Sequence, residues 1–335
     1  MPAKHITDLT LENFRGLGRL ELHGLQSVNL IVGQNNVGKT SLLEAIVLSA
    51  DSKLGVQLPG MLHGRVQISE HEYGPERDSM FSRWIIRDGD DIQQATLMAT
   101  GEDFRAALVL QKGHSGPQIT LPSDFSPDDF SYGTEGIRVW RKKDPPVLRV
   151  RVVSCLPNSG RGMVTTVGNA LRKRQGEALI HSVLRKIDPR IQRVRVDPRE
   201  EGNIVAVDIG LSEMIPITQA GQGAVRLVSM LSELIGENAQ ICIIDEIENG
   251  IHHTALKDVW RGVAEISAAM GVQVFATTHS AECLAAANEV FFSEDSKQEK
   301  DFALIQLMRV KDQVIGKVLS EARVNDALEN EIELR

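Results

Sequence analysis

Three short apolar runs punctuate the chain: Val28 to Val32, Ile241 to Ile244, and Val272 to Ala276. Runs this short, rich in β-branched residues and bounded by turn residues, suit strands buried on both faces of a mostly parallel sheet. Between them the apolar period changes. Leu227, Met230, Leu231, Leu234 and Ile235 fall at helical spacing, and Leu256, Val259, Trp260 and Val263 repeat the pattern. Strands alternating with helices predict an α/β core. Residues 52–150 read differently, with recurrent Gly and Pro and only short alternation. There, Ile137 to Trp140 and Val147 to Val153 flank Asp144-Pro145-Pro146 and predict a hairpin. One helix is predicted over 167–187, followed by strands at 190–196 and 204–209. No heptad is sustained, which argues against a long coiled coil.

Composition narrows the class. The 335 residues are 42% hydrophobic and 24% charged, an ordinary globular balance. Aromatic residues make up only 4%, which disfavours a stacking platform for single-stranded nucleic acid. No apolar stretch approaches the ~20 residues that span a bilayer, so no membrane association is expected. Met1 to Asp8 leads into no signal-type apolar segment. Cys155, Cys242 and Cys283 are odd in number and far apart, so buried reduced thiols in a cytoplasmic protein are expected. The net charge of −8 conceals a basic middle: from Arg138 to Arg199 there are 16 Lys and Arg against four acids. Such a split suits a polyanion or an acidic partner, or else cations that pair with acids within the fold.

The chemistry begins where the first apolar run ends. Gly33-Gln34-Asn35-Asn36-Val37-Gly38-Lys39-Thr40 fits G-x-x-x-x-G-K-[ST], with a strand before it and the helix-forming Ser41 to Ile46 after it. The glycines let successive N–H groups curl round phosphate oxygens, and the helix N-terminus adds positive potential. Asn35, Asn36, Gly38, Lys39, Thr40 and Ser41 are therefore expected to bind ATP, with Lys39 reaching the β- and γ-phosphates and Thr40 on Mg²⁺. The second apolar run ends in Asp245-Glu246, at the sheet edge where ligands bind. Asp245 is expected to hold Mg²⁺, and Glu246 to activate the attacking water. The third ends in Thr277-Thr278-His279-Ser280, with His279 in reach of the γ-phosphate or the water. Gly221, Gln222 and Gly223 open the helix that follows, a second anion-binding terminus.

The order of these four elements resembles the ABC-type ATPase heads of the RecF, SMC and overcoming-lysogenisation-defect (OLD) ATPases. Leu9-Thr10-Leu11-Glu12-Asn13-Phe14-Arg15-Gly16 is similar to the first strand of that group, and Gly33 to Ile46 (GQNNVGKTSLLEAI) to its phosphate loop. Asp245 to His253 (DEIENGIHH), Gln273 to Ser280 (QVFATTHS) and Ile187 to Ile191 look most like the stand-alone OLD-like AAA-15/AAA-21 ATPases. The resemblance implies a P-loop NTPase with an ABC-type head: core residues 1–52 and 189–335, and an insert 53–188. The insert would divide into a β-rich lobe (53–155) and a helical segment (160–188). It also implies that Arg15 lies beside the nucleotide, that Glu248-Asn249-Gly250 is the D-loop, and that Gly221 to Gly223 closes the site of a second protomer. A glutamine sensing the γ-phosphate is expected before the signature, with Gln111 as a candidate. The signature lacks the Ser-Gly-Gly of transporters. The 55 residues after Ser280 leave no room for a Toprim nuclease domain.

These expectations favour a Mg²⁺-dependent, dimer-forming or higher-order ATPase without nuclease activity of its own. It would gate a separately encoded nuclease or Toprim-like effector in phage defence or genome maintenance. The alternative is a RecF-like repair ATPase that binds DNA directly through 138–199. A transporter subunit is disfavoured by the signature, a GTPase by the lack of Asn-Lys-x-Asp, and a nucleotide sensor without turnover by Glu246.

Overall fold

The computed structural model describes residues 4–50, 94–112, 130–132, 137–142, 148–153, 161–200, 202–236, 238–292, 301–311, 313–319 and 324. Its centre is a six-stranded sheet of β3 (Val28–Gly33), β8 (Val150–Val153), β12 (Ile241–Ile244), β13 (Gln273–Thr277), β14 (Phe302–Val310) and β15 (Gln313–Leu319). The order is β15-β14-β3-β13-β12-β8, parallel throughout except for the antiparallel edge strand β15. The continuous apolar runs now have their explanation, because each strand alternates between two cores. Leu30, Cys242, Ile244, Val274 and Leu304 face one, and Ile31, Ile241, Ile243, Phe275 and Ile305 face the other.

On the first face pack the helices α2 (Arg161–Arg172), α3 (Arg174–Ile187), α4 (Gln222–Ile235), α5 (Leu256–Met270) and α6 (Ala281–Phe291), together with a small sheet of β9 (Arg193–Asp197), β10 (Ile204–Asp208) and β11 (Ile215–Pro216). On the second lies α1 (Lys39–Ala50), then an antiparallel sheet ordered β2-β1-β4-β5-β7-β6. Its strands are β1 (Asp8–Phe14), β2 (Leu17–His23), β4 (Gln94–Thr100), β5 (Arg105–Lys112), β6 (Phe130–Tyr132) and β7 (Ile137–Lys142).

The structure departs from the sequence reading in two places. The hairpin expected around Asp144 to Pro146 does not form: β7 pairs with β5 and β6, whereas β8 joins the central sheet beside β12. At that edge β8 pairs in parallel with the fully buried β12, and Val153 is buried in the core beneath the sheet. The helix expected over 167–187 is two helices, α2 and α3, which meet at Lys173. Strand pairing also links the segments expected as core and insert. β1 and β2 belong to the antiparallel sheet, and β8, α2 and α3 share the core of the central sheet. Cys242 and Cys283 are buried free thiols whose titration is pushed up by burial, which leaves them inert. Cys155 lies outside the described residues. Among the described residues no helix is long and apolar enough to cross a membrane.

Candidate functional site

Parallel pairing brings the expected residues to one sheet edge. Thr277 of β13 aligns with Ile31 of β3, and Ile244 of β12 with Ala276, so Gly33, Asp245 and the segment after Thr277 emerge side by side. The loop from Gly33 to α1 is shaped by its backbone. Gly33 has φ +150° and Gly38 φ +109°, and Asn36 holds a left-handed φ of +60°. A Cβ at Gly33 would lie 2.4 Å from the Leu307 carbonyl oxygen, and one at Gly38 would lie 2.8 Å from Leu17 Cδ2. Both positions therefore require glycine.

Lys39 is buried at the start of α1. Its Nζ donates to the carbonyl oxygens of Gly33 at 2.6 Å and Gln34 at 2.9 Å. Burial lowers the Lys39 pKa, and the attraction of Asp245, Glu248 and Glu246 opposes that shift. A desolvated ammonium ringed by loop carbonyls, with Gln34, Asn35 and Asn36 exposed above it, fits a phosphate chain. Thr40 and Ser41 follow, half-buried, at the helix start.

Across the edge, the Asp245 carboxylate accepts a 2.5 Å hydrogen bond from the Thr277 hydroxyl, which itself accepts the Glu246 N–H at 2.9 Å. Glu246 sits at φ +49°, a costly conformation for a non-glycine residue that aims its half-exposed carboxylate outward. His279 Nε2 lies 3.9 Å from Glu246 Oε1, so the two expected catalytic groups do meet. The His279 N–H donates to Glu248 Oε1 at 2.8 Å, joining the segment after β12 to the segment after β13.

Two contributors escaped the sequence reading. Thr277 looked like the end of an apolar run, and only sheet register shows that it braces both acids. Arg226 lies inside the amphipathic pattern of α4. It is nonetheless buried, and donates to the carbonyls of Asp245 at 3.1 Å and Glu246 at 3.5 Å. A buried arginine in an otherwise apolar helix face was the available signal. Arg15, in the turn between β1 and β2, is paired with Glu44 of α1.

Gly221 and Gln222 are exposed at the start of α4, with Gly221 at φ +106°. Among the described residues no hydrogen bond joins them to the phosphate loop. A Cβ at Gly223 would lie 3.0 Å from the Gly250 carbonyl, so the helix start abuts the turn after Glu248. Gln111 pairs with Gln94 and Arg138 in the antiparallel sheet; its side chain lies outside the described residues.

The basic middle is largely paired within the chain. Arg190 grips Asp188 with two hydrogen bonds of 2.8 and 2.9 Å, which hold the Asp188 carboxyl below its ordinary pKa. Arg195 and Arg199 share Asp197, and Lys186 reaches Glu265. Lys173, one of the cations of that basic middle, donates to the carbonyls of Ile235 and Gly236 at 2.8 and 2.9 Å. It caps the C-terminal end of α4. Arg172, Arg174 and Arg193 are exposed. The side chains of Arg138, Arg141 and Lys142, and all of Lys143, lie outside the described residues.

Comparison with known proteins points to ATPases. The family profile "AAA ATPase domain" matches residues 5–83. The profile "AAA domain, putative AbiEii toxin, Type IV TA system" matches residues 121–285. An ATP/GTP phosphatase of Helicobacter pylori is 22% identical over 343 residues, covering 89% of this chain and 90% of that protein. The DNA replication and repair protein RecF of Nitrosococcus oceani is 54% identical, but over only 44 residues, 12% of its length. Among solved structures, an SMC head bound to the C-winged helix domain of ScpA superposes with a TM-score of 0.57 at 13% identity. It covers 96% of this chain and 100% of that one. The SMC head domain of Thermotoga maritima gives 0.50 at 14% identity, covering 95% and 100%. The fold is thus that of an SMC-like head, an α/β P-loop ATPase. The two AAA profiles, together matching most of the chain, and the phosphatase likeness support an ABC-type ATPase of the RecF, SMC and OLD group.

Proposed function

We propose that the chain hydrolyses ATP with Mg²⁺ at a site completed by a second copy, and that this cycle gates a separately encoded effector. The observation that carries the reading is a division of labour at the sheet edge. Lys39, Asp245, Glu246 and His279 converge there, while the glycine start of α4 is exposed and makes no bond to them. An anion-binding helix start turned to solvent fits the phosphates of a neighbour, so the two sites would form head to tail.

Asn35, Asn36, Gly38, Lys39, Thr40 and Ser41 would hold the triphosphate, and Thr40 and Asp245 would hold the metal. Mg²⁺ supplies charge neutralisation across the β- and γ-phosphates when bound. Thr277 fixes the orientation of Asp245 and the backbone of Glu246. Glu246 accepts the proton of the attacking water, and His279, close to Glu246, steadies that water or the γ-phosphate. Gly221, Gln222 and Gly223 would meet the partner's nucleotide.

The effector reading, a nuclease or Toprim-like protein acting in phage defence, rests on the likeness to OLD-type ATPases. RecF relatives match this chain across a short segment only. Direct action on DNA as a RecF-like repair ATPase is therefore the second reading.

The test is phosphate release from ATP and from GTP, measured across protein concentration, with Gly221→Asp mixed with Lys39→Ala. Each variant alone should be inactive, because one blocks the donated surface and the other the resident site. The mixture should regain part of the activity through one intact composite site. Activity independent of concentration, with no rescue, overturns the shared site. Stimulation by duplex DNA without any protein partner would favour the second reading.

A further inference from the structure

Glu44 lies in the second turn of α1, four residues beyond Thr40 and on the same helix face. It is almost wholly buried, and burial pushes its carboxyl up to about 7; Arg15 opposes that shift and Asp245 adds to it. Its ion-pair partner Arg15 occupies the turn between β1 and β2. Two residues at the end of β1 and in that turn are left-handed without being glycine, Asn13 at φ +54° and Arg15 at φ +50°. The chain just after the turn sits against the phosphate loop, and the turn itself is tied to the helix that follows that loop. Leu17 packs where a Gly38 side chain would begin, and Arg15 reaches past it to Glu44. The Arg15 Nε is buried, and among the described residues no group accepts from it.

A buried ion pair is weak as a stabilising device, because apolar residues of similar volume do as well or better. A strained turn and an unsatisfied buried donor both add cost. Together, beside a phosphate cradle, they describe a cation held ready for an anion. We propose that Glu44 is a positioning residue. It fixes the Arg15 guanidinium at the rim of the phosphate loop so that the remaining donors meet the triphosphate. This rests on the nucleotide reading above. Glu44 acts only through Arg15 and touches no reacting atom.

The experiment is calorimetric titration of ATP without metal, alongside steady-state hydrolysis with Mg²⁺, for Arg15→Gln, Glu44→Gln and the double variant. Loss of one charge-assisted contact should weaken ATP binding about tenfold in each single variant and raise KM in step, with kcat changed by less than about threefold. The double variant should bind no more weakly than Arg15→Gln. Glu44→Asp should recover part of the affinity.

Additive losses, or a fall in kcat at unchanged KM, would overturn the proposal. If Glu44→Gln does not fold, Glu44→Met serves instead. It should melt at or above the wild-type temperature yet bind ATP weakly, and wild-type affinity in that variant sinks the idea. Lys39→Ala separates the two layers. If it abolishes ATP binding while the Arg15 and Glu44 effects add, the positioning role alone fails. If it leaves binding intact, the nucleotide reading fails with it.

Discussion

The edge of the central sheet and the basic stretch from Arg138 to Arg199 both concentrate charge, and the fold treats them in opposite ways. At the edge, Lys39 is desolvated against carbonyls and faces three carboxylates, Glu246 is held at a strained φ, and Arg15 keeps a donor that no described residue satisfies. In the basic stretch, most of the described cations are already matched. Arg190 holds Asp188, Arg195 and Arg199 hold Asp197, and Lys186 holds Glu265. Arg185 donates to the Gln192 carbonyl, and Lys173 ends a helix. A count of charges therefore says little about where a polyanion binds. Charge kept under strain or out of water marks a site, whereas charge matched to a neighbour at the surface marks an ordinary protein exterior.

The contrast can be broken most sharply at Lys39. Lys39→Ala should abolish ATP binding in calorimetry and hydrolysis in a phosphate-release assay, because Lys39 is the buried cation held by the loop carbonyls. Retained binding would make the edge as dispensable as the basic surface.

Next in size is Glu246→Gln. Binding should persist while kcat falls about 10²-fold or more, the usual worth of a general base. Single-turnover kinetics should place the loss in the chemical step; hydrolysis at the wild-type rate removes Glu246 from that role.

The smallest effect belongs to the basic face. Arg172→Glu with Arg174→Glu, leaving Lys173 in place to cap α4, should weaken binding to duplex DNA or an acidic partner. Such binding should already fall steeply with salt, by about 0.9 log units per log unit of salt for each phosphate contact. Basal ATP hydrolysis should not change. Binding indifferent to salt and to both reversals would mean that the basic stretch is paired surface throughout.

The extent to which these features were legible in the sequence follows from the range of each interaction. The phosphate loop could be read directly because its function depends on glycines at fixed spacing and on a lysine next to a helix start, all local properties. The acids after β12 and the histidine after β13 were legible for a related reason: a buried strand must end somewhere, and its last polar residues face the edge. β8 was misplaced because Val150 to Val153 suits either a hairpin or a central sheet, and only the competition between those partners decides. Lys173 was grouped with its neighbours because sequence shows adjacent cations, not the carbonyls of Ile235 and Gly236 that lie in wait for one of them.

The sequence by itself thus located the candidate chemistry: a glycine loop with a lysine, two acids and a histidine, each at the end of a buried strand. Only the tertiary structure decided what supports them. Thr277 reaches Asp245 because β12 and β13 are hydrogen-bonded neighbours in register, and Arg226 reaches the same turn because α4 packs beneath it. Arg15 meets Glu44 because two strands from the start of the chain close over α1. Each of these contacts joins residues 19 to 32 positions apart. The energy that sets such contacts lies in packing between whole elements, which no local pattern records.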